Sequence, residues 1–309
     1  MARLAFIGCG AMGAPMAERL IDAGHALHIY DPDPAATTPL LARGAVVRSS
    51  PRAAAEASEI AFACLPSPDV SRKVALDADG IIACKGLVAY VEMSTIGSKA
   101  VKAIAHGLAT AGIPLLDSPV SGGPRGARAG TLSTMVAGAR ATFETVKPLL
   151  ETVARNVFYI GEEPGLGQVT KLANNMISAA GMAAAFEASA MAVKAGVDAR
   201  TLIDTVNAST GRNSATMDKF PAAVLTRSFD YGGKLSTMYK DVLLCLEEAR
   251  DLNVPMWVGS NVVQLWFHAM TQGRGNEDFT ALIKMIEDWA GVVVGGNDSG
   301  PIDRKPNRP

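Results

Sequence analysis

Apolar residues in the first half of the chain form short, near-continuous runs, separated by segments in which they recur every three or four positions. Leu4-Ala5-Phe6-Ile7 is the first run, with the length and density of a strand buried on both faces. Met16, Leu20 and Ala23 follow at i, i+4 and i+7, the spacing of one helix face, and Gly24 supplies the stop. Further strands are predicted at 26–30, 60–65 and 87–93, with shorter candidates at 115–116, 134–137 and 157–160. Strands of this kind alternating with amphipathic helices predict an α/β domain with a doubly wound, mostly parallel sheet. The pattern changes after Gly161. Residues 167–196 read as one long helix rich in Ala and Met, and only helical patterns follow, at 201–207, 237–252, 256–270 and 279–289. Asp198 and Asn276 stand where N-caps belong. The expected organisation is an α/β domain over 1–163, an all-α domain over 164–295, and a Gly/Pro/Asn/Asp-rich flexible tail over 296–309.

Composition narrows the class. A length of 309 residues suggests two domains, at roughly 100–200 residues each. With 49% hydrophobic and only 19% charged residues, disorder is excluded for most of the chain. The 29 Lys+Arg balance 30 Asp+Glu to a net charge of −1 without any basic run, so nothing points to nucleic acid or to an anionic membrane surface. Cys9, Cys64, Cys84 and Cys245 lack CxxC or metal-ligand spacing, which predicts reduced, mostly buried thiols of a cytoplasmic protein. The chain enters a strand pattern directly after Met1-Ala2-Arg3, so no signal peptide is expected. The uncharged run 172–186 reads as too short and too Ala/Gly-rich to span a bilayer. His25, His28, His106 and His268 form no metal-binding pair in sequence, and no nucleophile elbow or Walker loop is present.

The sharpest local signal is Gly8-Cys9-Gly10-Ala11-Met12-Gly13, which follows a predicted strand and opens a helix. Asp31 ends the next strand about 20 residues on, as the dinucleotide fingerprint requires. The glycines permit the tight turn and the close approach of a pyrophosphate, whose charge meets the helix N-terminus. Asp31 can accept from both adenosine ribose hydroxyls and would repel a 2′-phosphate, and Pro32-Asp33-Pro34 offers no Arg to pair with one. The expected cofactor is NAD. Leu65-Pro66-Ser67-Pro68 and Ser94-Thr95 lie just past two predicted strand ends, where ligands bind in doubly wound sheets, although either alone also fits an ordinary turn.

Two further segments carry chemistry, each with a plainer reading beside it. Ser121, Gly122 and Gly123 could form a nest of N–H groups for a carboxylate, or a simple Gly-rich turn. On the long helix, Lys171, Asn174, Asn175 and Ser178 fall at i, i+3, i+4 and i+7, so four polar residues line one face of an otherwise apolar helix. That stripe is either buried, in which case a desolvated lysine needs a reason, or the solvated face of a surface helix. Lys240-Asp241 interrupts another apolar helix and is open to the same two readings.

Taken together and in order, Gly8-x-Gly10-x-x-Gly13-x-Pro15-Met16-Ala17, Asp117-x-Pro119-Val120-Ser121-Gly122-Gly123, Gly165-x-Gly167-x-x-x-Lys171-x-x-Asn174-Asn175 and Lys240-Asp241 resemble the β-hydroxyacid dehydrogenase family. The resemblance spans residues 3 to about 290 and implies a Rossmann domain, a long connecting helix and an all-α domain, assembled as a homodimer or homotetramer. It implies hydride transfer between NAD and a small carboxylate substrate, a 3-hydroxy acid such as 3-hydroxyisobutyrate or its semialdehyde. Lys171 would then be the acid/base, with Asn175 orienting the substrate beside Asn174. Ser121, Gly122 and Gly123 would hold the carboxylate. Leu65, Pro66, Thr95 and Lys240 would lie near the dinucleotide, with Gly8, Gly10, Ala11, Met12, Gly13 and Asp31. A lysine amine can take the hydroxyl proton once burial and the nicotinamide cation lower its pKa.

Two departures bear on this. Family members often read Ser-Thr-x-Ser-Pro where this chain has Ser94-Thr95-Ile96-Gly97-Ser98, and many carry Phe where it has Gly233. The second predicts a roomier side-chain pocket, with Lys234 and Arg125 as added cations favouring larger or more anionic substrates, unless both point to solvent. A non-catalytic dinucleotide-binding protein, a decarboxylating phosphogluconate-type enzyme and an imine-reducing enzyme share parts of the pattern. The first would not need Lys171, the second should carry a longer helical domain with a phosphate clamp, and the third usually replaces the lysine.

Overall fold

The computed structural model describes residues 1–302 and divides into two compact units, Met1–Leu172 and Ala173–Pro309. In the first unit the strands are β1 (Arg3–Ile7), β2 (Ala26–Tyr30), β3 (Val46–Val47), β4 (Ile60–Ala63), β5 (Ala89–Glu92), β6 (Leu115–Asp117), β7 (Val120–Ser121), β8 (Leu132–Ala137) and β9 (Ala154–Gly161), all but β3 and β7 predicted. Strands β3-β2-β1-β4-β5-β6 lie side by side and all parallel, which is the Rossmann order. Beyond β6 the direction changes: β8 runs antiparallel to β6 and β7, and β9 joins it in parallel. The sheet is therefore mostly parallel, as the strand–helix alternation predicts. The two-residue strands β3 and β7 escape sequence reading because they are shorter than one repeat of any alternation.

Both sheet faces are covered, and β1 shows how. Leu4 and Phe6 pack with Met16, Leu20 and Ile29 on one face, while Ala5 and Ile7 pack with Val74, Ile104 and Leu108 on the other. A strand apolar at every position is what such double burial demands. Strands β4 and β5 end at Ala63 and Glu92, so Leu65 and Thr95 stand beyond their carboxyl ends. The switch point lies between β1 and β4, whose strand order diverges there.

The long helix runs Leu166–Lys194 and contains the boundary between the two units. At 29 residues, with a most apolar window of mean hydropathy 1.5, it is long and apolar enough to cross a membrane, contrary to the expectation drawn from 172–186 alone. Half of that window is buried within the protein, as in a core helix.

In the second unit the helices Ala199–Asn207, Leu235–Asp251, Trp257–Thr271 and Ile283–Ala290 form close to their predicted positions. Asp198 caps the first, accepting from the Thr201 N–H at 2.8 Å. Asn276 is not a cap. It closes a short 3₁₀ turn, and Asp278 does the capping by accepting from the Thr280 N–H at 3.0 Å. The segment Ala215–Val224, for which no element is predicted, is π-helical, and the Leu225 N–H donates to the Phe220 carbonyl five residues back. Part of the expected flexible tail is pinned: Val292–Val293 pairs antiparallel with Gly300–Pro301, and the Ile302 N–H donates to Gly291. The remainder of that tail, 303–309, lies outside the described residues.

Candidate active site

In the first unit the glycine turn is built as the fingerprint requires. Gly8 has φ +89°, and a Cβ there would lie 2.3 Å from the Cys64 carbonyl oxygen. A Cβ on Gly13 would lie 1.8 Å from the Gly8 carbonyl oxygen, so the helix can start this close to β1 only without a side chain. At Gly10 a Cβ would meet nothing within 4 Å, leaving that backbone open to a ligand, and Ala11 beside it is exposed while Met12 is half-buried.

Asp31 sits opposite, its Oδ2 accepting from the Cys9 N–H at 2.7 Å and its Oδ1 from the Asp33 N–H at 2.9 Å. A carboxylate has about four acceptor sites, so each oxygen keeps capacity for a ribose hydroxyl. These residues fit a dinucleotide, and glycine turn and acid are brought into direct contact. Burial pushes the Cys9 and Cys64 thiols up to about 12, which disfavours the thiolate form. All four cysteines are unpaired with one another.

The two loops past β4 and β5 are joined. The Leu65 N–H donates to Ser94 Oγ at 2.7 Å, and the Ser94 N–H donates to the buried Glu92 at 3.0 Å. Pro66 is exposed and Thr95 half-buried at the same end of the sheet. Gly97, the departure from Ser-Thr-x-Ser-Pro, has φ +83° at the N-cap of helix Ser98–Thr110, a conformation that glycine adopts without strain.

Ser121 ends β7, and Gly122 and Gly123 follow at φ +129° and +63°, both exposed. Only glycine accommodates two such residues in succession, and the turn leads into helix Gly123–Ala129. Lys171 is 7% exposed, which decides against a solvated surface lysine. In the second unit Asn175 is 8% exposed, while Asn174 faces solvent and Ser178 is half-buried.

Asn174, Asn175, Lys240 and Asp241 are brought together there. Asn175 Nδ2 donates to Asp241 Oδ2 at 2.7 Å, Lys240 Nζ to Asp241 Oδ1 at 2.7 Å, and Asn174 Nδ2 to Asn175 Oδ1 at 3.1 Å. Asp241 is 5% exposed, so Lys240-Asp241 is not a simple exposed pair but the ionic anchor of Asn175.

Sequence reading quotes Asp117 only as part of a motif, without a role, and passes over Gln168. Asp117, fully buried at the end of β6, accepts from the backbone N–H groups of Gly165 and Gln168, both at 3.0 Å, and so caps the helix that carries Lys171. Burial pushes its carboxyl up to about 7, against these donors, which hold it down. Gln168, also fully buried, donates through Nε2 to Asp117 Oδ1 at 2.6 Å and to the Ser94 carbonyl at 3.0 Å. The signal available for both was Gly165-x-Gly167: a Cβ on Gly167 would lie 2.4 Å from the Met135 carbonyl oxygen and 2.9 Å from Asp117 Oδ2.

Gly233 does not open a pocket. A Cβ there would lie 2.2 Å from the ring of Phe279, which is tied in place because its N–H donates to the Gly233 carbonyl at 2.8 Å. Lys234 is exposed and donates to Asn276 Oδ1 at 3.3 Å, and Arg125 is exposed as well. The room expected at Gly233 is thus taken by Phe279. Gly233→Phe should lower stability by about 1–3 kcal/mol through overpacking against Phe279, measured as a shift in the urea midpoint. An unchanged midpoint would mean that the ring moves aside freely.

Comparison with known proteins agrees with this geometry. Residues 3–161 match the model of the NAD-binding domain of 6-phosphogluconate dehydrogenase. Residues 165–286 match that of the NAD-binding domain of NADP-dependent 3-hydroxyisobutyrate dehydrogenase. The chain is 33% identical to 2-(hydroxymethyl)glutarate dehydrogenase of Eubacterium barkeri, over 95% of this chain and 98% of that one. It is 34% identical to NAD-dependent L-serine dehydrogenase of Pseudomonas aeruginosa, over 94% of this chain and all of that one. Among solved structures, 3-hydroxyisobutyrate dehydrogenase of Mycobacterium tuberculosis with L-serine superimposes with a TM-score of 0.85 at 30% identity, covering 93% of this chain and 99% of that one.

Proposed function

The chain belongs to the β-hydroxyacid dehydrogenase family, and on that premise we propose that Lys171 moves the proton when this NAD-dependent enzyme interconverts a small 3-hydroxy acid and its semialdehyde. The observation that carries the reading is a lysine only 7% exposed on the polar stripe of an apolar helix. Gly8, Gly10, Ala11, Met12, Gly13 and Asp31 hold the dinucleotide, with Leu65, Pro66 and Thr95 bordering it. Bound there, NAD supplies the hydride acceptor.

The neutral Lys171 amine takes the hydroxyl proton during oxidation, and the ammonium returns it during reduction. Ser121 and the N–H groups of Gly122 and Gly123 hold the substrate carboxylate, which fixes position rather than performing chemistry. Asn175 orients the substrate, its amide fixed by Asp241. Lys240, expected from the family pattern to approach the cofactor, acts in this reading by neutralising Asp241.

The active form is a homo-oligomer in the cytoplasm. Ile177, Met191, Trp257 and Val258, each at least 69% exposed in the second unit, are the surface that a second copy covers.

Mixed with NAD and 3-hydroxyisobutyrate, L-serine or 2-(hydroxymethyl)glutarate, the protein should form NADH with at least one of them. With NADP, kcat/KM should fall about tenfold or more, since like charges ~4 Å apart repel by about 4 kcal/mol at an effective dielectric of ~20. No turnover of any of the three with either cofactor removes the reading. Equal efficiency with NADP removes the role of Asp31 alone.

A further inference from the structure

The polar groups at the carboxyl ends of β4, β5 and β6 form one buried chain of hydrogen bonds, which reaches the long helix through Gln168 and through the Gly165 N–H that donates to Asp117. Leu65 donates to Ser94 Oγ, and the Ser94 N–H donates to Glu92, which also accepts from the Tyr90 hydroxyl at 2.9 Å. Gln168 Nε2 then donates to the Ser94 carbonyl and to Asp117 Oδ1. Its Oε1 accepts from the N–H groups of Ile96 at 2.8 Å and Gly97 at 3.1 Å. Its own backbone N–H returns to Asp117 Oδ2. One fully buried amide thus uses both donors and its acceptor twice, spending three side-chain bonds on the loop after β5, one on the end of β6 and none on its own helix.

We infer that Gln168 is a positioning residue, which fixes the rotation and the height of the first helical turn so that Lys171, three residues later, is held at one distance from the loop Ser94–Gly97. This inference rests on the proton-transfer role proposed for Lys171. A helix N-terminus needs only a cap, and Asp117 already provides one. Gln168 adds a tie between the helix and the strand-end loop that borders the dinucleotide. Buried networks of this kind fix one geometry because each unmade bond leaves an unsatisfied polar group. A side chain that moves a proton gains rate only while held within a fraction of an ångström of its partner.

The test is a double-mutant cycle on single-turnover hydride transfer in the full-length protein. Gln168→Leu should slow NADH formation at least tenfold while leaving the NADH dissociation constant within about threefold, because Gly8–Gly13 and Asp31 are untouched. Added to Lys171→Ala, it should slow the reaction by no more than twofold further, since a residue that acts through Lys171 has nothing left to position.

Equal tenfold losses in both backgrounds would overturn the inference and mark Gln168 as structural only. So would a folded Gln168→Leu enzyme with the wild-type rate. If Lys171→Ala itself turns over normally, it is the reading of Lys171 that fails. Should Gln168→Leu not fold, Gln168→Glu goes through the same cycle. It keeps the acceptor for Ile96 and Gly97 but sets an oxygen against the Ser94 carbonyl and Asp117. The same outcomes decide.

Discussion

Gly13→Ala should destabilise the protein by about 3 kcal/mol or more and abolish tight NADH binding, while Gly10→Ala should leave stability untouched and weaken NADH alone. The two glycines stand three residues apart in one turn, and their surroundings differ completely. At Gly13 the new methyl would have to occupy the position of the Gly8 carbonyl, 1.8 Å away. That carbonyl is held in place, because the Gly8 N–H donates to the Tyr30 carbonyl at 2.9 Å at the end of β1. The strand–helix junction would have to open, and the anion site at the helix N-terminus opens with it.

At Gly10 the methyl meets nothing within 4 Å and the backbone φ lies outside the left-handed region, so the fold accepts it. What it fills is the open side from which, in the proposed function, a pyrophosphate would come close to the backbone. Thermal unfolding paired with NADH fluorescence titration separates the two effects. Equal melting temperatures for the two variants, or wild-type NADH affinity in Gly10→Ala, would contradict this account of the turn.

Much of this architecture is legible in the sequence because one physical constraint dominates each element. The parallel strands carry near-continuous apolar runs because both faces are covered, and β2 at Ala26–Tyr30 is recovered to the residue. The long helix shows itself through Ala and Met content and through the polar stripe Lys171, Asn174, Asn175 and Ser178, whose spacing admits no other element. Where short-range pattern does not decide, reading fails. β3 and β7 have two residues each, and in the π-helical segment Ala215–Val224 the buried face recurs every four residues and includes the polar Thr216 and Lys219.

The cap at Asp278 rather than Asn276 turns on where one loop ends, which no periodicity encodes. Gln168 is invisible for a different reason. A glutamine near a helix start looks like any surface residue until Asp117, 51 positions away in sequence, closes over it. Gly233 marks the opposite error: a missing side chain reads as empty space, whereas Phe279 comes from 46 residues downstream to cover the position.

Lys171→Ala should reduce kcat by about 10²–10⁴-fold, the usual contribution of a positioned proton-transfer group. The effect should fall on the chemical step, because the proposed function assigns the dinucleotide to Gly8–Gly13 and Asp31 and the substrate carboxylate to Ser121–Gly123. Lys171→Arg should be nearly as poor: guanidinium keeps the charge but does not release its proton at working pH, so it cannot act as the base in oxidation. Asn175→Ala should lose a smaller factor, through orientation rather than proton transfer, and should leave Asp241 and Lys240 paired. A lysine serving only to balance charge or to pack would predict the reverse order, with Arg close to wild type.

The most direct test is stopped-flow formation of NADH in a single turnover, with Lys171→Ala saturated in NAD and 3-hydroxy acid and its fold checked by circular dichroism. The account predicts hydride transfer slowed by about 10²–10⁴-fold with NADH affinity unchanged. A folded Lys171→Ala enzyme that forms NADH at the wild-type rate would contradict it.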